Sequence, residues 1–104
     1  MKELTSAQIF KSSNLMTQSD LSRLLLVDRS TINRAVKDGL MSTDDSGKKI
    51  LIHEYETLSA IVDIMDRRLN LINWGTNEYK EYNILYQVIS DEVRPMFMKR
   101  HYRG

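Results

Sequence analysis

The side chains that could do chemistry on a partner crowd into one short stretch: Arg29, Ser30, Asn33, Arg34 and Lys37. Guanidinium, ammonium, amide and hydroxyl groups are donors that match phosphate oxygens and the acceptor-rich edges of bases. At helical spacing these five positions lie outside, while Ile32, Ala35 and Val36 share the opposite side. A helix this short has no need of so many donors on one face for its own stability. The plainer reading is a solvated face. The capped pair of helices to which the stretch belongs favours the donors.

Catalytic chemistry has little to work with. Only His53 and His101 would serve as neutral general bases. His53-Glu54 is half of a zinc-protease motif, but Thr57 stands where the second histidine is required. Gly39, Gly47, Gly75 and Gly104 are too far apart for a phosphate-binding loop, and the pairs Asp44-Asp45 and Asp91-Glu92 read as turn and surface residues. Nothing specifies the convergent carboxylates of a metal-dependent nuclease. The expectation is a protein that is not an enzyme, with no metal, no cofactor and no small-molecule substrate.

These donors belong to a stretch, residues 17 to 38, whose spacing predicts two short helices. Thr17, with Asp20 three residues on, supplies an N-cap oxygen and a carboxylate for the first turn. Met16 and Leu21 have the spacing of a hydrophobic staple over that cap. The device recurs eleven residues later, with Asp28 as the cap and Val27 and Ile32 as the staple. Leu21, Leu24 and Leu25 face inward from the first helix. The second runs from Arg29 to about Asp38, ended by Gly39 in the left-handed conformation, with Lys37 in the last turn.

This stretch resembles the helix-turn-helix of bacterial and phage DNA-binding proteins. The apolar positions of that pattern fall on Leu21, Leu25, Val27, Ile32 and Ala35, and its small residue on Ser22. It departs at Leu26, where the pattern most often has glycine, so either the turn is wider or a leucine carries the left-handed conformation. Carried over position by position, the resemblance implies DNA-facing roles for Asp28, Arg29, Ser30, Asn33, Arg34 and Lys37, with Gln18 near a phosphate.

After Gly39, two short apolar runs, Leu40 to Thr43 and Lys48 to Ile52, flank the turn formers Asp44-Asp45-Ser46-Gly47. That pattern predicts a β-hairpin. A hairpin directly after the second helix resembles the wing of small winged helix-turn-helix domains, such as those of excisionases, of the MerR class and of phage terminase small subunits. Lys48 and Lys49 would then lie beside a groove or a phosphate. The other reading makes them part of an ordinary solvated turn, offset by Asp44 and Asp45.

Tyr55, Leu58, Ile61, Val62, Met65, Leu69 and Ile72 recur at three- and four-residue steps, which predicts a helix from Glu54 to Asn73. Another begins at Asn77 and stops at or just before Pro95. Its stripe of Tyr79, Tyr82, Leu85, Tyr86, Ile89 and Val93 reads first as core. Left uncovered, it would be a dimer or partner surface. Thr5 to Ser12, with Ile9 and Phe10, is expected to add one more short helix.

The fold expected is therefore mainly α: a winged helix-turn-helix over residues 1–73, with a short hairpin wing. A further helix at 74–94 would serve packing or dimerisation, and 95–104 would form a basic flexible tail. At 104 residues and 41% hydrophobic, the chain is long enough for one core. It has no cysteine, no run apolar enough to span a bilayer and no secretory pattern, which points to the cytoplasm of a bacterial or phage-infected cell.

The net charge of +1 hides an uneven distribution. Residues 1–53 carry eight Lys and Arg against six Asp and Glu, residues 54–93 three against eight, and residues 94–104 four against none. Such modest charge limits non-specific affinity, so the expected partners are double-stranded DNA together with a second copy or a cooperating DNA-bound protein. The rival expectation is a protein–protein adaptor working through the Tyr and Leu helices at 54–94.

Overall fold

Residues 4–71 and 75–101 are described by the structure, a computed structural model. Their order is α1 (Ser6–Ser12), β1 (Leu15–Thr17), α2 (Gln18–Leu25), α3 (Arg29–Lys37), β2 (Lys49–Leu51), α4 (Tyr55–Leu69) and α5 (Asn77–His101). The architecture is mainly helical with a small antiparallel sheet, and no helix is long and apolar enough to cross a membrane.

Each early helix starts on a hydroxyl. A capping box closes α1: the Gln8 N–H donates to Thr5 Oγ1 at 3.2 Å, and the Thr5 N–H donates to Gln8 Oε1 at 2.8 Å. On α2 the Asp20 N–H donates to Thr17 Oγ1 at 3.1 Å, and both staple residues, Met16 and Leu21, are buried. The two ends of the helix-turn-helix stretch close in the same way. Leu26 N–H bonds to Arg23 O and Val27 N–H to Ser22 O at 3.0 Å; Gly39 N–H bonds to Val36 O and Leu40 N–H to Ala35 O at 2.9 Å. Both are Schellman closures, which require a left-handed residue. Gly39 takes φ +75° and Leu26 takes φ 56°, so at the first turn a leucine does carry the left-handed backbone.

The hairpin needs correction. β2 pairs chiefly with β1, in the register Leu15 with Leu51, Met16 with Ile50 and Thr17 with Lys49. The expected partner strand at 40–43 is reduced to a single bridge, Thr43 opposite Ile50, flanked by Asp44 N–H to Lys49 O and Leu51 N–H to Ser42 O, both 2.9 Å. Ile50 and Met16 drop into the core from paired positions, and that burial selects β1 as the neighbour. The turn itself is well tied. Asp44 Oδ1 accepts from the Ser46 hydroxyl at 2.7 Å and from the Lys49 N–H at 3.3 Å. The Ser46 bond, followed by backbone N–H groups, holds the Asp44 carboxyl below its ordinary pKa.

The interior is built from Phe10, Leu21, Leu25, Ile32, Ile50, Ile52, Leu58, Ile61, Met65, Leu85 and Ile89, all essentially inaccessible. Two buried hydroxyls stitch it together. Thr57, the residue that spoils the zinc motif, accepts from the Ser42 N–H at 2.9 Å and so anchors the hairpin to α4. Tyr82 donates to Leu25 O at 2.6 Å, which ties the end of α2 to α5. Burial pushes the Tyr82 phenol well above its ordinary value.

The expected ends of the two long helices also change. α4 stops at Leu69; Ile72, Asn73 and Trp74 lie outside the described residues. α5 runs through Pro95 to His101 instead of stopping before it, so 95–101 is helix. Proline removes one helix hydrogen bond, but its fixed φ suits a helix. Tertiary contacts carry the continuation: Met96 packs against the core, while Arg100 lies 3.3 Å from Glu56 and 4.4 Å above the Tyr55 ring.

Two outcomes follow for stability. A Cβ at Gly39 would touch nothing within 4 Å, so Gly39→Ala pays only the left-handed backbone cost and lowers unfolding free energy by about 1 kcal/mol in denaturant titration. Tyr82→Phe leaves the Leu25 carbonyl unmet and costs about 1–2 kcal/mol. Unfolded, the Tyr82 phenol ionises near 10.0, whereas the folded one keeps its proton. Its contribution is therefore complete below that pH and lost above it, so wild type should lose stability in alkali more steeply than the Phe variant.

Candidate nucleic-acid interface

α3 is held by its buried side, Ile32 and Ala35, with Val36 packed beside them. On the opposite side Arg29, Ser30, Arg34 and Lys37 are exposed and Asn33 is half-buried, within an arc of about 140° at 100° per residue. The periodicity had placed them so. Arg29, Arg34 and Lys37 make no salt bridge among the described residues, whereas Arg23, Arg94 and Arg100 each approach a carboxylate within 3.7 Å. The face is a row of uncommitted donors on a rigid helix.

The flanking positions are less uniform. Asp28 sits at the N-cap of α3 in extended conformation but makes no side-chain cap bond, which corrects the expectation that its carboxylate closes the helix. The Thr31 N–H is served instead by the Asp28 backbone oxygen at 3.0 Å, leaving the exposed Asp28 carboxylate open. Gln18 is the first residue of α2 and half-buried. Lys48 closes the hairpin turn and Lys49 opens β2; both are exposed and without a salt bridge among the described residues. The turn acid Asp44 is occupied by the Ser46 hydroxyl and by backbone N–H groups, that of Lys49 among them, and not by the lysine ammonium groups.

The stripe on α5 is not a free surface. Tyr82, Leu85 and Ile89 are buried, and Tyr79, Tyr86 and Val93 are half-buried against the core, because α4 and α1 cover this side of α5. Tyr86 donates to Asp66 Oδ1 at 2.8 Å, and that bond, with burial behind it, raises its phenol pKa. A dimer built on this stripe would require the core to open.

His53, read from sequence as a candidate general base and as half of a metal motif, is a structural clamp. Its Nδ1 stands 2.8 Å from both Glu92 carboxylate oxygens, its Nε2 stands 2.7 Å from Ser13 O, and its ring packs 4.7 Å from that of Phe10. It joins the end of α1 to α5. Partners 39 and 40 residues away leave no signal in local spacing. Among the described residues no group of His, Asp and Glu is placed to hold a metal ion.

Comparison with protein families, with curated proteins and with solved structures finds no match to this chain.

The two caps should behave differently. Thr17→Ala removes a real cap bond and costs about 1 kcal/mol of stability, while Asp28→Ala, measured by the same thermal unfolding, costs a few tenths at most. Any effect of Asp28→Ala on a binding partner is then a direct one.

Proposed function

We propose that this chain binds double-stranded DNA in a sequence-specific manner, as a winged helix-turn-helix in which α3 enters the major groove. The observation that carries the reading is the open face of α3: Arg29, Ser30, Asn33, Arg34 and Lys37 side by side, with no acid among the described residues paired to its cations. Arginine and asparagine make bidentate bonds to guanine and adenine edges, and lysine holds phosphate oxygens. The N-terminus of α3 adds a positive dipole end beside Arg29 and Ser30. Both ends of the helix pair are closed by Schellman bonds, so the donors sit on a scaffold that needs no ordering on binding.

The hairpin turn at 44–49 acts as the wing, with Lys48 and Lys49 on phosphates. Its role fits a small protein of a phage or mobile element, of the excisionase, transcriptional regulator or terminase small subunit type. The adaptor alternative loses ground because the Tyr and Leu side chains it would use are turned into the core.

Selection from a random duplex pool, followed by titration of the enriched sequence, tests this. Arg29→Ala and Arg34→Ala should each weaken specific binding by about 1–3 kcal/mol, without moving the unfolding midpoint. Lys48→Ala should weaken all duplexes alike and reduce the salt slope by about one ion. A wild-type protein that enriches no sequence, or a double arginine variant that binds like wild type, overturns the reading.

A further inference from the structure

Away from α3, an open groove of ≈ 640 Å³ lies between α1, β1, α2 and the start of α5. Its apolar lining is unusually uncovered: Leu4 is 61% exposed, and Leu15 and Leu26 are 40% exposed each. Leu26 is also the residue that holds the left-handed turn. Glycine does the same task at Gly39 without the steric cost, about 1 kcal/mol for a leucine. Leu26 bears that strain at 40% exposure on the wall of an open groove, so the uncovered part of its side chain is available to whatever fills the groove. The rim is acidic: Asp20, Glu78 and Glu81 stand against a single cation, Arg23, which pairs with Asp20 at 3.7 Å.

The complementary surface is on the same chain, at the far end of α5. From Arg94 to His101 there are three cations, Arg94, Lys99 and Arg100, and no acid; Arg94 and Arg100 lie 3.5 and 3.3 Å from Asp91 and Glu56, and Lys99 makes no salt bridge among the described residues, so this end keeps a net positive charge. Met98 and Phe97 there are 45% and 48% exposed. Arg94, Phe97 and Met98 are spaced i, i+3 and i+4, so they form one basic-apolar patch. Glu81 and Phe97 are sixteen residues apart on one helix, about 24 Å at 1.5 Å per residue, so a molecule cannot fill its own groove with its own patch.

We propose that the groove receives the C-terminal end of α5 from a second copy of this chain. Because the two surfaces differ, the contact is head-to-tail: each added copy leaves one groove and one patch free, and the copies form an open row instead of a closed symmetric pair. Acidic rim against basic helix end sets the polarity of the row. The row needs no DNA, so it stands or falls separately from the reading of α3.

Sedimentation velocity of the full chain over a concentration series, without DNA, tests it. Wild type should show an average mass that rises steadily past that of a dimer, and added salt should lower it. Leu15→Lys blocks the groove and leaves the patch; Met98→Glu blocks the patch and leaves the groove. Each variant alone should remain monomeric, while their equimolar mixture should restore a one-to-one dimer and nothing larger. Both substitutions are at exposed positions, and unchanged unfolding midpoints check that the fold is intact. Leu26→Asn and Lys99→Glu form a second pair should either fail to fold. Wild type that stays monomeric throughout, or a dimer plateau that the mixed variants do not restore, overturns the proposal.

Discussion

The turn between α2 and α3 sets the geometry on which the rest of the molecule depends. α2 ends at Leu25, the chain reverses through a left-handed Leu26, and α3 begins three residues later at Arg29. A leucine reaches that conformation only if the surroundings hold it there. The Schellman bonds hold it from inside the turn, and Tyr82 holds it from outside by donating to the Leu25 carbonyl. A hydroxyl on α5 thus fixes where α2 stops, and α3 inherits its starting point from that bond. The donors on α3 are aimed by a tyrosine 57 residues beyond the carbonyl it holds.

The same economy recurs elsewhere. Three polar side chains sit between elements that would otherwise be joined by apolar contact alone: Thr57 between α4 and the hairpin, Tyr82 between α5 and α2, and the half-buried His53 between α1 and α5. Apolar burial is non-directional, whereas a hydrogen bond fixes register and orientation. In a chain of 104 residues with no disulfide to staple it, these bonds specify one packing among several that would bury similar area.

Charge is organised along the molecule instead of accumulated. A net charge of +1 is unremarkable, yet the cations on α3 and around the hairpin turn make no salt bridge among the described residues, while residues 54–93 carry eight acids against three cations. The two ends of α5 are of opposite character: Glu78 and Glu81 at one, Arg94, Lys99 and Arg100 at the other. A weakly charged binder of DNA gains by assembling several copies, since phosphate contacts then accumulate along a row. The two proposals made for this protein are compatible in that physical sense, although they rest on different surfaces.

Features whose causes lie within four residues are legible in the amino-acid sequence: the Thr17 cap, the staples, the left-handed Gly39, and the division of α3 into an apolar side and a donor side. Those depend on helical period and on backbone groups that neighbouring side chains reach. It also located the turn at 44–47, through Asp, Ser and Gly at the positions a tight turn needs. It did not reveal that β2 would choose β1, because a three-residue strand has no period and its pairing is selected by what Met16 and Ile50 bury together. Nor did it reveal that Asp28 would leave its cap unmade, that α5 would continue through Pro95, or that His53 would clamp α1 to α5. Packing in three dimensions turned the tyrosine stripe inward and brought Leu4 and Leu15 beside Leu26 in one groove, while Leu40 and Leu71 stand exposed outside it. Whether an apolar face is covered depends on elements distant in the chain, and spacing along one helix carries no record of them.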